Sequence, residues 1–213
     1  MLEIKRNRYF YYLCLFHTSS VIIGMTITSR IIDIKYSAYD HFYITGGVFF
    51  IPFVFFIQDI ATEVYGYEQA KKMLLSTIIS FVFYIFSMQV IATYFCANSD
   101  SFPFVAETLP RHAISFVFSL LLGGTANNYI LYKLKIAFNS KFLSIRFISS
   151  TFLGEALFQV TAVMISWYGT YSIKTIIPLA LASYIYKILF EVAATPVNIY
   201  ACRYLKSIEQ LKT

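Results

Sequence analysis

Charge is what this sequence has least of: Asp, Glu, Lys and Arg make up 13% of its 213 residues, about half of what a soluble domain carries. That scarcity excludes an ordinary water-soluble globule and a solvated disordered chain. The three cysteines, Cys14, Cys96 and Cys202, have no metal-ligand spacing, and His17, His41 and His112 are scattered along the chain. A metal site is therefore not expected, and the cysteines read as small apolar filler. There is no Gly-x-Ser-x-Gly elbow, no phosphate-binding loop and no paired-histidine motif, so neither an enzyme nor a bound cofactor is expected. Basic residues lead acidic ones, 17 against 11, but they form no aromatic-interleaved stripe of the kind that binds nucleic acid.

What is abundant is apolar surface, with 58% hydrophobic residues, 22 Phe and 18 Tyr and a mean hydropathy of +0.65. A transmembrane helix needs roughly 20 apolar residues, and apolar segments recur at 9–28, 42–64, 73–95, 113–134, 147–167 and 173–201. The reading is an all-α integral membrane protein, a bundle of six transmembrane helices forming a single domain over residues 1–213. The first apolar run is too long for a signal-peptide core and lacks a small-residue cleavage site, so it reads as a retained helix. Cytoplasmic loops carry the excess of Lys and Arg. With an inside N-terminus, only Arg30, Lys35, Arg111 and Lys174 fall outside, Lys187 lies within helix six, and the other basic residues fall inside. Both termini are thus expected in the cytoplasm.

The informative residues are polar groups in those apolar segments, because an ionisable side chain at a helix centre costs about 2.5 to 3.5 kcal/mol on insertion scales. Helix two carries Gln58, Asp59, Thr62 and Glu63, with the two acids four residues apart on one face. Helix six carries Lys187 and Glu191, also four apart; an internal pair is available, and Lys187 also has helix two within reach. Helix five adds Glu155 beside Gly154, and helix four adds Thr125, Asn127 and Asn128 after Gly123 and Gly124. The bland alternative is hydrogen-bonded glue between helices, and for Glu63, near an interface, plain solvation. Asp59, Glu155, Lys187 and Glu191 are costlier than glue requires, so a central polar site is the default expectation. Gly46, Gly47 and Pro52 in helix two and Pro196 in helix six read either as ordinary kinks or as breaks that open backbone toward a cavity. Carboxylates and carboxamides match the donor–acceptor edge of a planar heterocycle, whose faces aromatic rings can stack upon.

The stretch 52–72, PFVFFIQDIATEVYGYEQAKK, resembles the signature of the bacterial queuosine precursor transporters, also filed as a vitamin uptake transporter family. There an apolar helix with an internal proline runs into Asp, then Thr-Glu-Val-Tyr-Gly-Tyr and a basic cluster, here Asp59, Thr62 to Tyr67, and Lys71 with Lys72. Weaker similarities follow in order around 123–135, at 150–155 after Arg146, and at Tyr186, Lys187, Glu191, Thr195 and Pro196.

The resemblance implies six spans with cytoplasmic termini in a bacterial inner membrane. It also implies uptake of a nucleobase-like solute, a deazaguanine such as queuine or its cyano- or aminomethyl precursors, for queuosine salvage into transfer RNA. Asp59, Lys187, Glu63, Glu191 and Glu155 would belong to its polar site. This chain has Thr26 where many members have Asn, Arg30 for a following Lys, and Asn127 and Phe158 where many have Asp. Asn127 and Phe158 thereby join the expected substrate-binding set. Phe158 would add an apolar or stacking wall, which favours queuine with its larger substituent. Proton coupling through an acid such as Asp59 is a further expectation. Two other readings stand beside this one, a substrate-binding subunit of a multi-component vitamin importer and a structural or assembly membrane protein. Oligomeric state is not legible.

Overall fold

The computed structural model describes residues 8–28, 30–35, 41–94 and 102–209. Its elements are α1 (Arg8–Thr28), strands β1 (Ile31–Lys35) and β2 (His41–Thr45), and a 3-10 turn (Gly46–Phe49) leading into α2 (Ile51–Tyr65). Then come α3 (Tyr67–Tyr94), α4 (Phe102–Ser119), a π-helical turn (Leu120–Gly124), α5 (Thr125–Ala137), α6 (Leu143–Trp167) and α7 (Ile173–Ile208). Among the described residues six helical stretches are long and apolar enough to cross a membrane: α1, Gly46–Tyr65, α3, Leu109–Ala137, α6 and α7. The six expected segments therefore correspond one to one with observed spans.

The expectation of purely helical structure is corrected at one place. Residues 42–45, assigned from sequence to helix two, belong to β2, which pairs antiparallel with β1 from Ile31↔Thr45 to Lys35↔His41. Both segments are rich in β-branched and aromatic residues, which suit a pleated ribbon as well as an apolar helix. Two other boundaries move. Gly66, at φ +89°, is the whole connection between α2 and α3, so Lys71 and Lys72 lie in the opening turns of α3 rather than in a loop. At the other end α7 continues to Ile208, which carries Arg203 and Lys206 on a helix. Cys96 and the chain ends lie outside the described residues.

The bundle is built inside out. Helix α2 is buried nearly all round, from Ile51 to Val64, and the others wrap it. On α7 the buried residues include Ser183, Lys187, Glu191, Thr195, Asn198 and Cys202, while Leu181, Ile185, Leu189 and Val197 are exposed. The three-to-four-residue period is that of one helical face, with the polar face turned inward because the outer solvent is hydrocarbon. On α6, Arg146, Ser150, Thr151 and Glu155 are likewise buried. Apolar packing surrounds this polar interior, with Phe55, Phe81, Phe116 and Phe158 in one cluster and Ile60, Leu131, Phe147 and Cys202 in another.

Two glycines let the fourth and fifth spans touch backbone to backbone. A Cβ on Gly123 would lie 2.6 Å from the Gly154 carbonyl oxygen, and one on Gly154 would lie 2.7 Å from Asn127 Cβ, so neither position has room for a side chain. Pro52 sits in the first turn of α2, where its missing N–H costs nothing. Helix α7 runs unbroken through Pro178 and Pro196, so of the two readings of Pro196 the break is absent. Irregular turns lie instead at Gly46–Phe49, where the second span begins, and in the fourth span at the π turn preceding Asn127 and Asn128.

The Tyr9 amide donates to Glu209 Oε1 at 3.0 Å, and the Tyr65 hydroxyl donates to the same oxygen at 2.9 Å. The start of α1 and the end of α7 therefore lie at the same end of the bundle. Lys71, Lys72, Lys135, Lys141, Arg146, Arg203 and Lys206 gather at that end too, by their places on the ends of α3, α5, α6 and α7. The β ribbon marks the opposite end.

Candidate functional site

At the basic end, Glu63 in the last turn of α2 is buried, with its side chain 1% exposed. Lys206 Nζ lies 2.6 Å away, Arg146 Nη1 2.8 Å and Lys135 Nζ 3.3 Å. Lys135 also donates to the Glu63 carbonyl at 2.8 Å. One carboxylate thus ties α2 to α5, α6 and α7. Plain solvation of Glu63 is corrected: cations replace water around it.

One turn inward along α2, Asp59 is fully buried. It accepts hydrogen bonds from Asn127 Nδ2 at 2.7 Å and Thr151 Oγ1 at 3.3 Å. Among the described residues no cation pairs with it. Gln58 turns the other way, with Nε2 3.2 Å from His17 Nε2, while His17 Nδ1 lies 2.7 Å from Thr77 Oγ1. Thr62 donates to Asn128 Oδ1 at 3.1 Å.

Lys187 does not pair with Glu191 or reach helix two. Its Nζ donates to Glu155 Oε2 at 2.8 Å and to Gln159 Oε1 at 2.9 Å, both on α6, and stands 4.4 Å from the centroid of the Phe158 ring. The physical reason is partly intrahelical: a basic residue four positions before an acid is the weaker order of an i, i+4 pair. Across the gap, α6 offers a carboxylate, a carboxamide and an aromatic face together. Phe158 is held edge-on by Phe55 and Phe116, at 5.6 and 5.7 Å.

Lys187 and Phe158 form part of the wall of a half-open cavity of about 70 Å³, smaller than the ~300–1,000 Å³ of sites that enclose a small molecule. Its other polar groups include Thr28, Thr45, His112, Ser115, Gln159, Ser166 and Ser183. The Ser166 hydroxyl donates to Ser115 Oγ at 2.8 Å, and the His112 ring lies 4.7 Å from that of Trp167. The cavity lies toward the ribbon end, lined by the ends of α1 and α6 and the start of α2.

Of the seven residues singled out from sequence, Phe158 and Lys187 line the cavity and Glu155 backs Lys187. Asp59 and Asn127 are bonded to each other deeper in the bundle. Glu191 lies one turn from Lys187 on α7, beside Asn198, and Glu63 closes the opposite end. His112, Ser115, Gln159 and Ser166 were not foreseen. The signal was present in their spacing: His112, Ser115 and Ser119 fall three and four apart on one face, and Gln159 follows Glu155 by four. Thr26 bonds instead to the Tyr84 hydroxyl at 2.9 Å, and Arg30 is exposed.

The interior also has oxygens to spare. Gln58 Oε1, Asn127 Oδ1, Glu155 Oε1 and Glu191 Oε1 are buried with no hydrogen-bond partner in the structure, although buried polar atoms are almost always paired. Unpartnered nitrogens are fewer, His112 Nδ1 and the Asn198 Nδ2 beside Glu191. Among the described residues no cluster of His, Cys, Asp and Glu fits a metal ion.

Residues 45–201 match the model of a family described as "Putative vitamin uptake transporter". No curated protein and no solved structure matches the chain significantly.

Proposed function

Because the chain belongs to the vitamin uptake transporter family, we propose that it carries a planar, nucleobase-like solute across a bacterial inner membrane, with residues 1–213 acting as one transmembrane unit and both termini cytoplasmic. The observation that carries this reading is the acceptor-rich polar stripe of α6 and α7 ending beneath the half-open cavity. Each unpartnered oxygen is an expensive feature for mere glue. A deazaguanine edge supplies what it lacks, since its ring N–H and exocyclic amine are adjacent donors that a carboxylate or carboxamide accepts in bidentate fashion. The Glu155, Lys187 and Phe158 group is suited to orienting such a ring, with the cation fixed by the acid and the aromatic face close by. Hydroxyls at Ser115, Ser166 and Thr28 suit a polar substituent, and queuine with its cyclopentenediol is the preferred cargo for queuosine salvage.

Asp59 is assigned the coupling proton. It receives two neutral donors and faces no cation among the described residues, and Asn127 keeps a free oxygen. Rotation of that carboxamide by half a turn presents an acceptor to a protonated Asp59 and a donor to an ionised one. Proton loading and release therefore need no backbone movement at this pair. Glu63 and its three cations tie α2, α5, α6 and α7 together at the cytoplasmic end and take no part in the coupling.

The test is accumulation of radiolabelled queuine by cells expressing the chain, with an empty vector beside it. Uptake above background, competed by unlabelled deazaguanine, is the expected result. Background uptake of queuine with accumulation of a different base would overturn the substrate; background uptake of every base offered, by protein shown to reach the membrane, would overturn transport.

A further inference from the structure

A second cavity lies at the opposite end from the first, between the α5–α6 connection and the last turns of α7. It has a volume of about 670 Å³ and opens to solvent. Its wall contains Lys141, Arg146, Arg203 and Lys206 against one carboxylate, Glu63. That carboxylate is already committed, with Lys206 on one oxygen and Arg146 on the other. Arg146 is also spent within the protein, donating from Nε to the Lys141 carbonyl at 3.1 Å. Lys141 and Arg203 are exposed at the mouth, and among the described residues no acid pairs with either. Positive charge is therefore left over at the rim of a concave site, where an oxyanion is the complementary ligand.

We propose that this cavity binds a phosphate group, with Lys141 and Arg203 as its primary contacts and Lys206 behind them. The surroundings favour phosphate presented as the headgroup of an anionic lipid. Phe138 and Phe142 meet edge to face at 6.0 Å beside Lys141, and Tyr200 and Tyr204 stack at 6.3 Å flanking Arg203 on α7. All four rings are exposed. Aromatic residues of this kind sit at the level of lipid headgroups, and basic pockets between helix ends take anionic headgroups while acyl chains run along the apolar outer face. The site shares no lining residue with the first cavity.

Native mass spectrometry of the purified full chain in mild detergent reads this directly, with phosphatidylglycerol, phosphatidylcholine and inorganic phosphate as probes. Phosphatidylglycerol is expected to be retained at least tenfold better than phosphatidylcholine and to raise the unfolding temperature. The Lys141→Gln/Arg203→Gln double variant, altered only at exposed positions, should lose that retention tenfold. A Lys71→Gln/Lys72→Gln variant, altered at the same end but away from the cavity, should keep it. If inorganic phosphate stabilises the wild type as well as lipid does, and the Lys141/Arg203 variant loses that effect, the phosphate chemistry stands and the source is the free anion. Equal retention of the two lipids with no phosphate effect, or equal loss in both double variants, overturns the proposal.

Discussion

Two buried carboxylates on α2, one turn apart, live in opposite circumstances. Glu63 has three cations and both of its oxygens are engaged; Asp59 has two neutral donors and no cation among the described residues. The same contrast extends outward, since Glu155 has one oxygen on Lys187 and the other unpartnered, and Glu191 also keeps a free oxygen. A buried ion pair is costly to break because the charge left behind is uncompensated, so a saturated cluster such as that of Glu63 acts as a clamp. An unsaturated one is poised to gain a proton or a ligand. The difference separates what holds this bundle together from what it works with.

The contrast is broken most forcefully at Lys187. Lys187→Met should reduce solute accumulation to the empty-vector level and, by stranding Glu155, lower stability by about 3–5 kcal/mol. A Lys187→Met/Glu155→Leu double variant should regain the unfolding temperature in detergent without regaining uptake, and recovery of uptake would mean that the pair is only structural. Asp59→Asn sharpens the contrast further. It should abolish accumulation against a gradient while preserving exchange of labelled for unlabelled solute, with a stability change of about 1 kcal/mol or less because Asn127 can rotate to keep a bond. Undiminished concentrative uptake would remove Asp59 from the coupling role. Glu63→Gln should do the reverse, lowering stability by about 3–5 kcal/mol through the three cations it leaves unbalanced, with near-normal uptake per folded molecule in those cells that retain it. Gly154→Ala should cost about 1–3 kcal/mol by forcing apart the fourth and fifth spans, read as a fall in unfolding temperature; an unchanged value would show that the two backbones are not pressed together.

The six spans were legible because an apolar run of the right length has few other uses, and the clustering of Lys and Arg at alternate ends fixed their number. Their ends were not. The run through Phe42, Tyr43 and Ile44 is as good a strand as a helix, and Lys71 and Lys72 read as a loop although a single glycine, Gly66, turns the chain. At the site, ionisable residues within apolar segments stood out on cost alone, which is why Asp59, Glu155, Lys187 and Glu191 were visible. Their partners were not, because partnership depends on which helices are neighbours: Lys187 meets Glu155 across α6 rather than Glu191 along its own helix. His17 looked isolated for the same reason, since Gln58 and Thr77 lie on other helices. The polar wall of His112, Ser115, Gln159 and Ser166 is inexpensive in transfer energy, so cost gave no warning and only periodicity could have.

The central claim is that the inward polar face of α7 is the path of the solute, and single-cysteine accessibility tests it most directly. In a background with Cys14, Cys96 and Cys202 replaced by Ser, cysteines at Ser183, Thr195 and Asn198 are compared with cysteines at Leu181, Leu189 and Val197 on the lipid face. The account predicts that a hydrophilic thiol reagent labels the first group in active membranes, that queuine slows labelling at Ser183 most, and that the lipid-facing positions stay inert. Inert inward positions in protein that still accumulates solute would contradict it.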